Sequence, residues 1–481
     1  MKRLVNILII SLLLVSCTSK TQQKELVILS VNDMHSHIEN MPKLAYIADS
    51  LRNIYPELMI VSAGDNRTGS AYNDKYPVHP NFPMINLMNE VGFEVSALGN
   101  HEFDGNIDGL KYFVDNTKFP VVCANADFSA YPDIPMPDYV TITKNINGKD
   151  LKIIVLGMIE TENDGHPSAH IKNMKDIVFT DAKDVIKDYL YLRDSCDVFI
   201  LLSHCGKTQE LEFAAEYPQF DVIIGGHSHD LWTEQLPDGV LYTQSKYYLR
   251  RATVTKIKIE DGKVVDKEAQ VIDLEKIKGC NESIQAEVDK YYAEPEFHKV
   301  IGHAKTPFNN VNALGAFMAD AARYATKADI AMQNPGGVRL ESLHGGDIET
   351  ADIYNVDPFN NALLVTEMTG EQVEEFLTIV TTKDGDLPYV SGITYTAELA
   401  EDEDNNIYVA SIKAFLENGK PINQKKIYKV AINSYMALWA EDHCLKIETT
   451  DINANDAEFL YLKDFDNVDY QGVCRYKIAD D

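Results

Sequence analysis

Five times between residues 26 and 229, a short and almost wholly apolar run breaks into a loop of glycine, aspartate, asparagine and histidine. Leu26–Val31 enters Asn32-Asp33-Met34-His35, and Leu58–Val61 enters Ser62-Ala63-Gly64-Asp65. Val95–Leu98 enters Gly99-Asn100-His101-Glu102-Phe103-Asp104. Val198–Leu202 enters Ser203-His204, and Val222–Ile224 enters Gly225-Gly226-His227-Ser228-His229. Runs this short and this apolar read as strands covered on both faces. Amphipathic segments at 42–54, 81–92 and 181–194 read as helices between them. Strands alternating with helices predict an α/β domain, and in such sheets ligands gather at the carboxyl ends of the strands. Residues 240–273 read as closing β-structure, with strict alternation over Val254–Ile259.

Residues 281–298 read as a connecting helix broken by Pro295. A second α/β unit follows over 299–481, with a helix at 312–326, a strand near 328–332 and strands near 407–415 and 427–432. A chain of 481 residues can bury a core of this size without staples. At the other end, Lys2 and Arg3 precede an apolar stretch too short to span a bilayer. Leu14-Val15-Ser16-Cys17 resembles a bacterial lipobox, so residues 1–16 are expected to be a signal peptide, with a lipid on Cys17. Residues 17–24 then form a polar tether, and the metal-loop domain runs from 25 to 280 outside the cytoplasm. The six other cysteines form no CxxC pair, which argues against a zinc ribbon. Cys444 with Cys474 is the one disulfide worth considering.

Lysine plus arginine total 44 against 74 aspartates and glutamates, a net charge of −30. That argues against a protein gripping nucleic acid by phosphate neutralisation. It leaves room for a small phosphate ester, because bound metal ions can reverse the local field. The acidic run Glu398–Asp404 reads as a solvated turn.

The loops offer Asp33, His35, Asp65, Asn100, His204, His227 and His229 as ligands, all through nitrogen or oxygen. Such donors suit zinc, manganese and similar divalent ions. Seven are too many for one tetrahedral ion. They suit two ions sharing a carboxylate, as in two-metal phosphate chemistry.

Asp33-x-His35, Gly64-Asp65, the block from Gly99 to Asp104, Ser203-His204 and the block from Gly225 to His229 resemble the calcineurin-like metallophosphoesterase signature. Their order and spacing resemble the bacterial 5′-nucleotidase and UDP-sugar hydrolase branch. The resemblance implies a four-layer αββα sandwich with a second, smaller α/β substrate-binding domain. It implies that Asp33, His35 and His229 hold one metal, that Asn100, His204 and His227 hold the other, and that Asp65 bridges. A hydroxide between the ions would attack phosphorus in line. His101 would stand at the phosphate, oriented by Asp104, whose i, i+3 spacing suits contact across a helical turn.

In the second domain, the run from Asn334 to Arg339 resembles the family's Asn-Gly-Gly-Gly-Ile-Arg, and Pro358-Phe359-Asn360-Asn361 its Pro-Phe-Gly-Asn. The resemblance implies substrate contacts from Asn334, Arg339, Phe359 and Asn361, with Arg339 on an anionic group and Phe359 stacked on a base. Two departures alter that pocket. Asn309–Ala316 lacks the arginine the family carries there, leaving Arg323 or Lys327 as candidate replacements. The glycine-rich aromatic loop appears as Trp439-Ala440-Glu441-Asp442-His443, so Trp439 or His443 would supply the second stacking surface. The leading expectation is 5′-nucleotidase activity with weakened binding of simple monophosphates. A 2′,3′-cyclic phosphodiesterase or UDP-sugar hydrolase is the alternative enzyme; a low-activity binding lipoprotein or a sulfur-ester hydrolase are the other readings.

Overall fold

The computed structural model describes residues 24–162, 165–401, 407–440, 443–444 and 446–479. The expected leader, Cys17 and the tether up to residue 23 lie outside the described residues. Among the described residues, no helix is long and apolar enough to cross a membrane.

In the first domain two six-stranded sheets face each other. One has the order Lys263–Asp273, Arg251–Glu260, Lys24–Val31, Met59–Ser62, Val95–Ala97, Val121–Val122. The other has the order Leu231–Gln235, Leu241–Ser245, Val222–Ile224, Val198–His204, Lys149–Ile159, Tyr139–Ile146. The period of two along a strand sorts its side chains between layers. From Lys24–Val31, Leu26 and Ile28 enter the core between the sheets. Val27, Leu29 and Val31 enter a separate core under the helices Met41–Arg52 and Phe82–Val91. From Lys149–Ile159, Leu151, Ile153 and Val155 enter the middle core, while Ile154, Leu156 and Met158 pack under the helix Lys207–Glu216. The order of layers is therefore helix, sheet, sheet, helix, as the motifs implied. Both faces of these strands are covered, which is why their sequences show no polar alternation.

The segment at 181–194 is α-helical only over Ala182–Val185 and winds on as a 3-10 helix over Ile186–Ser195. In that tighter winding every third residue shares an edge. Ile186, Tyr189 and Leu192 accordingly meet the same outer core. Residues 281–298 differ more from expectation. The helix Glu282–Tyr292 and the turn Pro295–His298 place Ile284, Val288, Tyr291 and Phe297 in the first domain's core. The segment is thus built into that domain.

The second domain centres on a mixed sheet in the order Tyr389–Ser391, Ile330–Gln333, Ile427–Asn433, Ala362–Thr369, Lys446–Asn453. The helix Gly370–Asp384 packs Val373, Phe376, Leu377 and Val380 on one face. The helix Val311–Thr326 packs Ala321 and Ala322 on the other. Cys444 and Cys474 are free thiols, not a disulfide.

Candidate dinuclear metal centre

The strands Lys24–Val31, Met59–Ser62 and Val95–Ala97 run parallel, as do Val198–His204 and Val222–Ile224. Their carboxyl-end loops converge, and there the backbone is strained. Asp33, His35, Asp65, His227 and His229 have φ of 49°, 46°, 51°, 72° and 58°. A left-handed L-residue costs about 1–2 kcal/mol and persists only where its surroundings fix it. Here loop holds loop: Asp33 N donates to Gly64 O at 3.0 Å, and His35 N to Asp65 O at 3.0 Å. The buried Glu102 carboxylate accepts from Asp65 N, Asn66 N and Gly99 N at 3.0, 2.8 and 2.7 Å. The buried Glu210 carboxylate accepts from Cys205 N and Gly226 N at 3.0 and 3.3 Å. Gly99 admits no side chain, since a Cβ there would lie 2.3 Å from Asp65 Oδ1.

These loops bring all seven sequence-predicted ligands together. His35 Nε2 and His229 Nε2 are 2.8 Å apart, and Asp33 Oδ1 lies 3.5 Å from His229 Nε2 and 3.9 Å from His35 Nε2. Asn100 Oδ1 lies 3.2 Å from His204 Nε2 and 3.0 Å from His227 Nδ1. Asp65 Oδ2 touches both groups, 3.1 Å from His204 Nε2 and 3.8 Å from His35 Nε2. The second ring nitrogen is held by a carbonyl in two ligands: His35 Nδ1 by Thr68 O at 2.9 Å and His204 Nδ1 by Ala63 O at 2.7 Å. That leaves Nε2 free to coordinate. Ligand atoms of Asp33, His35 and His229 lie within 4.8 Å of one another, as do those of Asp33, Asp65 and His204. Ions bound at about 2.0–2.2 Å from such donors require this spacing, so the residues fit divalent metals.

The electrostatics agree. Burial pushes Asp33 up to about 7, with the charge of Asp65 adding to the effect. Burial drives His227 and His229 down to about 3 and His35 well below its usual range. Neutral imidazoles at His35, His227 and His229 and a carboxylate at Asp33 short of countercharge suit a cation, whereas Asp65 and His204 hold each other charged, Asp65 well below and His204 well above its usual range. His101 behaves differently. Burial opposes its proton, yet Asp104 and Asp65 together raise its pKa. His101 Nδ1 lies 2.6 Å from Asp104 Oδ2, and its backbone N–H donates to Asp65 Oδ1 at 2.9 Å.

The centre floors a cleft of about 510 Å³ between the domains. Its walls include His101 and Asp104 from the first domain and Asn334, Arg339, Phe359 and Asn361 from the second. Arg339 Nη2 stands 3.2 Å from His35 Nδ1, and its guanidinium lies 5.6 Å from the Phe359 ring centre. That ring is 5.9 Å from the His101 ring.

Residues 26–231 match the family described as calcineurin-like phosphoesterase, and residues 300–442 match the 5′-nucleotidase C-terminal domain. The chain belongs to the calcineurin-like phosphoesterases that carry a 5′-nucleotidase C-terminal domain. The trifunctional nucleotide phosphoesterase protein YfkN of Bacillus subtilis is 25% identical over 89% of this chain. The chain spans 32% of that relative's length. Protein UshA of Yersinia enterocolitica is 25% identical, with 92% of this chain and 91% of that protein aligned. The structure of a 5′-nucleotidase precursor from Thermus thermophilus superposes with a TM-score of 0.81 at 20% identity, over 95% of this chain and 100% of that one.

The altered second-domain positions fall differently from the sequence expectation. Trp439 and His443 do not line the cleft. Trp439 packs edge-on against Tyr435, 4.9 Å between ring centres at 71°, and Tyr435 does line it. Tyr435 is the second residue after the strand Ile427–Asn433, and that strand-end position was its signal in the sequence. Arg323 and Lys327 are also absent from the cleft: Arg323 pairs with Glu417 at 3.0 Å. Asn310 is an N-cap, its side chain accepting from Ala313 N at 3.1 Å. Glu102 and Glu210, which clamp the ligand loops, were unassigned from sequence because a buried acid looks like any other acid there.

Proposed function

We propose that this chain hydrolyses nucleotides as a 5′-nucleotidase-like phosphoesterase. One ion is assigned to Asp33, His35 and His229, a second to Asn100, His204 and His227, and Asp65 to both. The observation that carries the reading is Asp65 reaching both ligand groups while the His101–Asp104 pair stands beside it on the open side of the cleft. Two divalent ions, zinc or manganese by this donor set, supply Lewis-acid polarisation of the phosphoryl group and an activated water at neutral pH.

The chain's own residues do the rest. His101, its proton favoured by Asp104, donates a hydrogen bond to a phosphoryl oxygen as negative charge grows there. Arg339 forks onto an anionic oxygen. Phe359 and Tyr435 offer stacking faces to a base. The relative YfkN, a trifunctional nucleotide phosphoesterase, favours nucleotides as the ester class. The test is phosphate release from a panel of nucleotides and simple esters by metal-reconstituted protein. Turnover of nucleoside 5′-monophosphates that stops on chelation is the expected result. Protein holding two ions that hydrolyses no ester would overturn the reading.

The same proposal places the protein outside the cytoplasm on a lipid at Cys17, on the strength of the apolar leader and Leu14-Val15-Ser16-Cys17. Cys17→Ser should move the protein from the membrane to the soluble fraction.

A further inference from the structure

Arg67, Lys75 and Arg339 are the lysines and arginines that line the cleft. Arg339 has His35 and Phe359 as neighbours. Arg67 has none. It is 6% exposed, yet no hydrogen bond or ion pair holds its guanidinium among the described residues, and its Nε is buried without a partner. A buried guanidinium lacking a carboxylate destabilises a fold.

The carboxylates on the same wall are engaged elsewhere. Asp74 accepts from Thr68 N, Gly69 N, Ser70 N and Ser36 Oγ. Asp104 holds His101. Beside Arg67 stand two glycines. A Cβ on Gly105 would lie 1.9 Å from Arg67 Nη1, and one on Gly109 would lie 2.9 Å away. Gly105 has φ −82°, which any residue adopts, so what it provides is room for the guanidinium. Lys75, which ends the short helix Ala71–Asp74, is close enough to Arg67 for the two cations to repel. Asp74 and Asp357 offset Lys75, so Arg67, two residues along from Asp65 and without a carboxylate partner among the described residues, is the cation that leaves this wall open to an anion.

We propose that Arg67 and Lys75 form an anion subsite on the first domain's wall, which takes a second phosphate group of the substrate beside the one at the metal centre. The substrate class this selects is a nucleotide carrying two or more phosphates. A guanidinium fork with an adjacent ammonium matches the charge and oxygen spacing of such a group. The inference rests on the phosphoesterase reading above for the position of the first phosphate.

The experiment compares kcat/KM for a nucleoside 5′-diphosphate with that for the corresponding 5′-monophosphate. Wild type should favour the diphosphate. In Arg67→Gln the ratio should fall about ten-fold or more, the worth of a charge-assisted hydrogen bond. Gly105→Ala, which crowds the guanidinium out of its groove, should shift the ratio the same way. Arg67→Gln should not lower Tm, because the side chain it removes is an unpaired buried charge. An unchanged ratio, or equal losses on both substrates with a lowered Tm, would make Arg67 structural and overturn the proposal. If wild type hydrolyses neither substrate, the phosphoesterase reading fails first. Calorimetric titration of the same two nucleotides into metal-loaded protein then decides the subsite: a diphosphate preference lost in Arg67→Gln supports it, and equal affinities refute it.

Discussion

Replacing His101 by alanine removes one side chain from the cleft and leaves its loop tied down. The backbone bond from His101 N to Asp65 Oδ1 at 2.9 Å survives, as do the three backbone bonds of Glu102. The lost His101–Asp104 contact joins side chains that are 15% and 19% exposed, so folding should lose only about 1 kcal/mol. Turnover should lose far more. Removing a preorganised donor to a developing oxyanion typically costs about 10²–10³ in rate, or about 2.7–4 kcal/mol. Steady-state kinetics on a nucleoside monophosphate should therefore show kcat down by about that factor, while elemental analysis shows the metal content of wild type. A rival reading is built into the geometry. His101 Nε2 lies 4.0 Å from Asp65 Oδ2, and His35, Asp65 and His101 are themselves close enough to hold an ion. Metal lost together with activity would make His101 a ligand. Near-normal kcat would make it structural. Either result refutes the assignment, and Asp104→Asn, which keeps the ring but removes its countercharge, should fall between wild type and His101→Ala.

Asp65→Asn should lose bound metal and activity together, as measured by elemental analysis, because its carboxylate serves both ligand groups. Phe359→Ala and Tyr435→Ala should each raise KM for nucleotides by about ten-fold, against a stacking worth of about 1–3 kcal/mol, and should change KM for nitrophenyl phosphate much less. Glu458→Gln should raise Tm at pH 8. Burial and the neighbouring Asp357 hold the Glu458 carboxyl well above the usual range, so its ionisation costs the folded state stability as pH rises. At pH 4, where the carboxyl is protonated, the gain in Tm should vanish.

That these seven residues would meet was legible because each follows a run apolar enough to be a doubly covered strand. Parallel strands then oblige their carboxyl ends to meet. The nucleotide wall was less legible. Tyr435 and Trp439 sit on either side of one 3-10 turn, Met436–Trp439, and the chain's direction after Asn433 decides which ring faces the cleft. The family resemblance pointed to Trp439 or His443, whereas the rule that functional groups follow strand ends would have pointed to Tyr435. The candidate replacement cations are misplaced for a related reason. Arg323 and Lys327 are near in sequence to the position lacking an arginine, yet they lie at the far end of the helix Val311–Thr326. Arg67 is distant in sequence and comes from the opposite domain. The segment 281–298, broken at Pro295, read as a connecting helix. Its apolar residues instead complete the core beneath Met41–Arg52 and Phe82–Val91.

For a chain of net charge −30, the proposed anionic substrate must meet approach and contact separately. At long range the protein repels a nucleotide. Inside the cleft the sign reverses, since Arg67, Lys75 and Arg339 line it, Asp74 and Asp104 are bonded to their neighbours, and Asp33 and Asp65 are assigned to cations. Salt acts differently on the two parts. The screening length shrinks from about 30 Å at 0.01 M to about 8 Å at 0.15 M, which removes the distant repulsion and weakens short contacts in a desolvated wall far less. The value of kcat/KM for a nucleotide should therefore rise as sodium chloride is raised over this range. An enzyme steered by its own surface charge shows a fall instead. A fall measured here would mean that the cleft cations govern the encounter as well as the contact, and that the acidic surface is turned away from the path of approach.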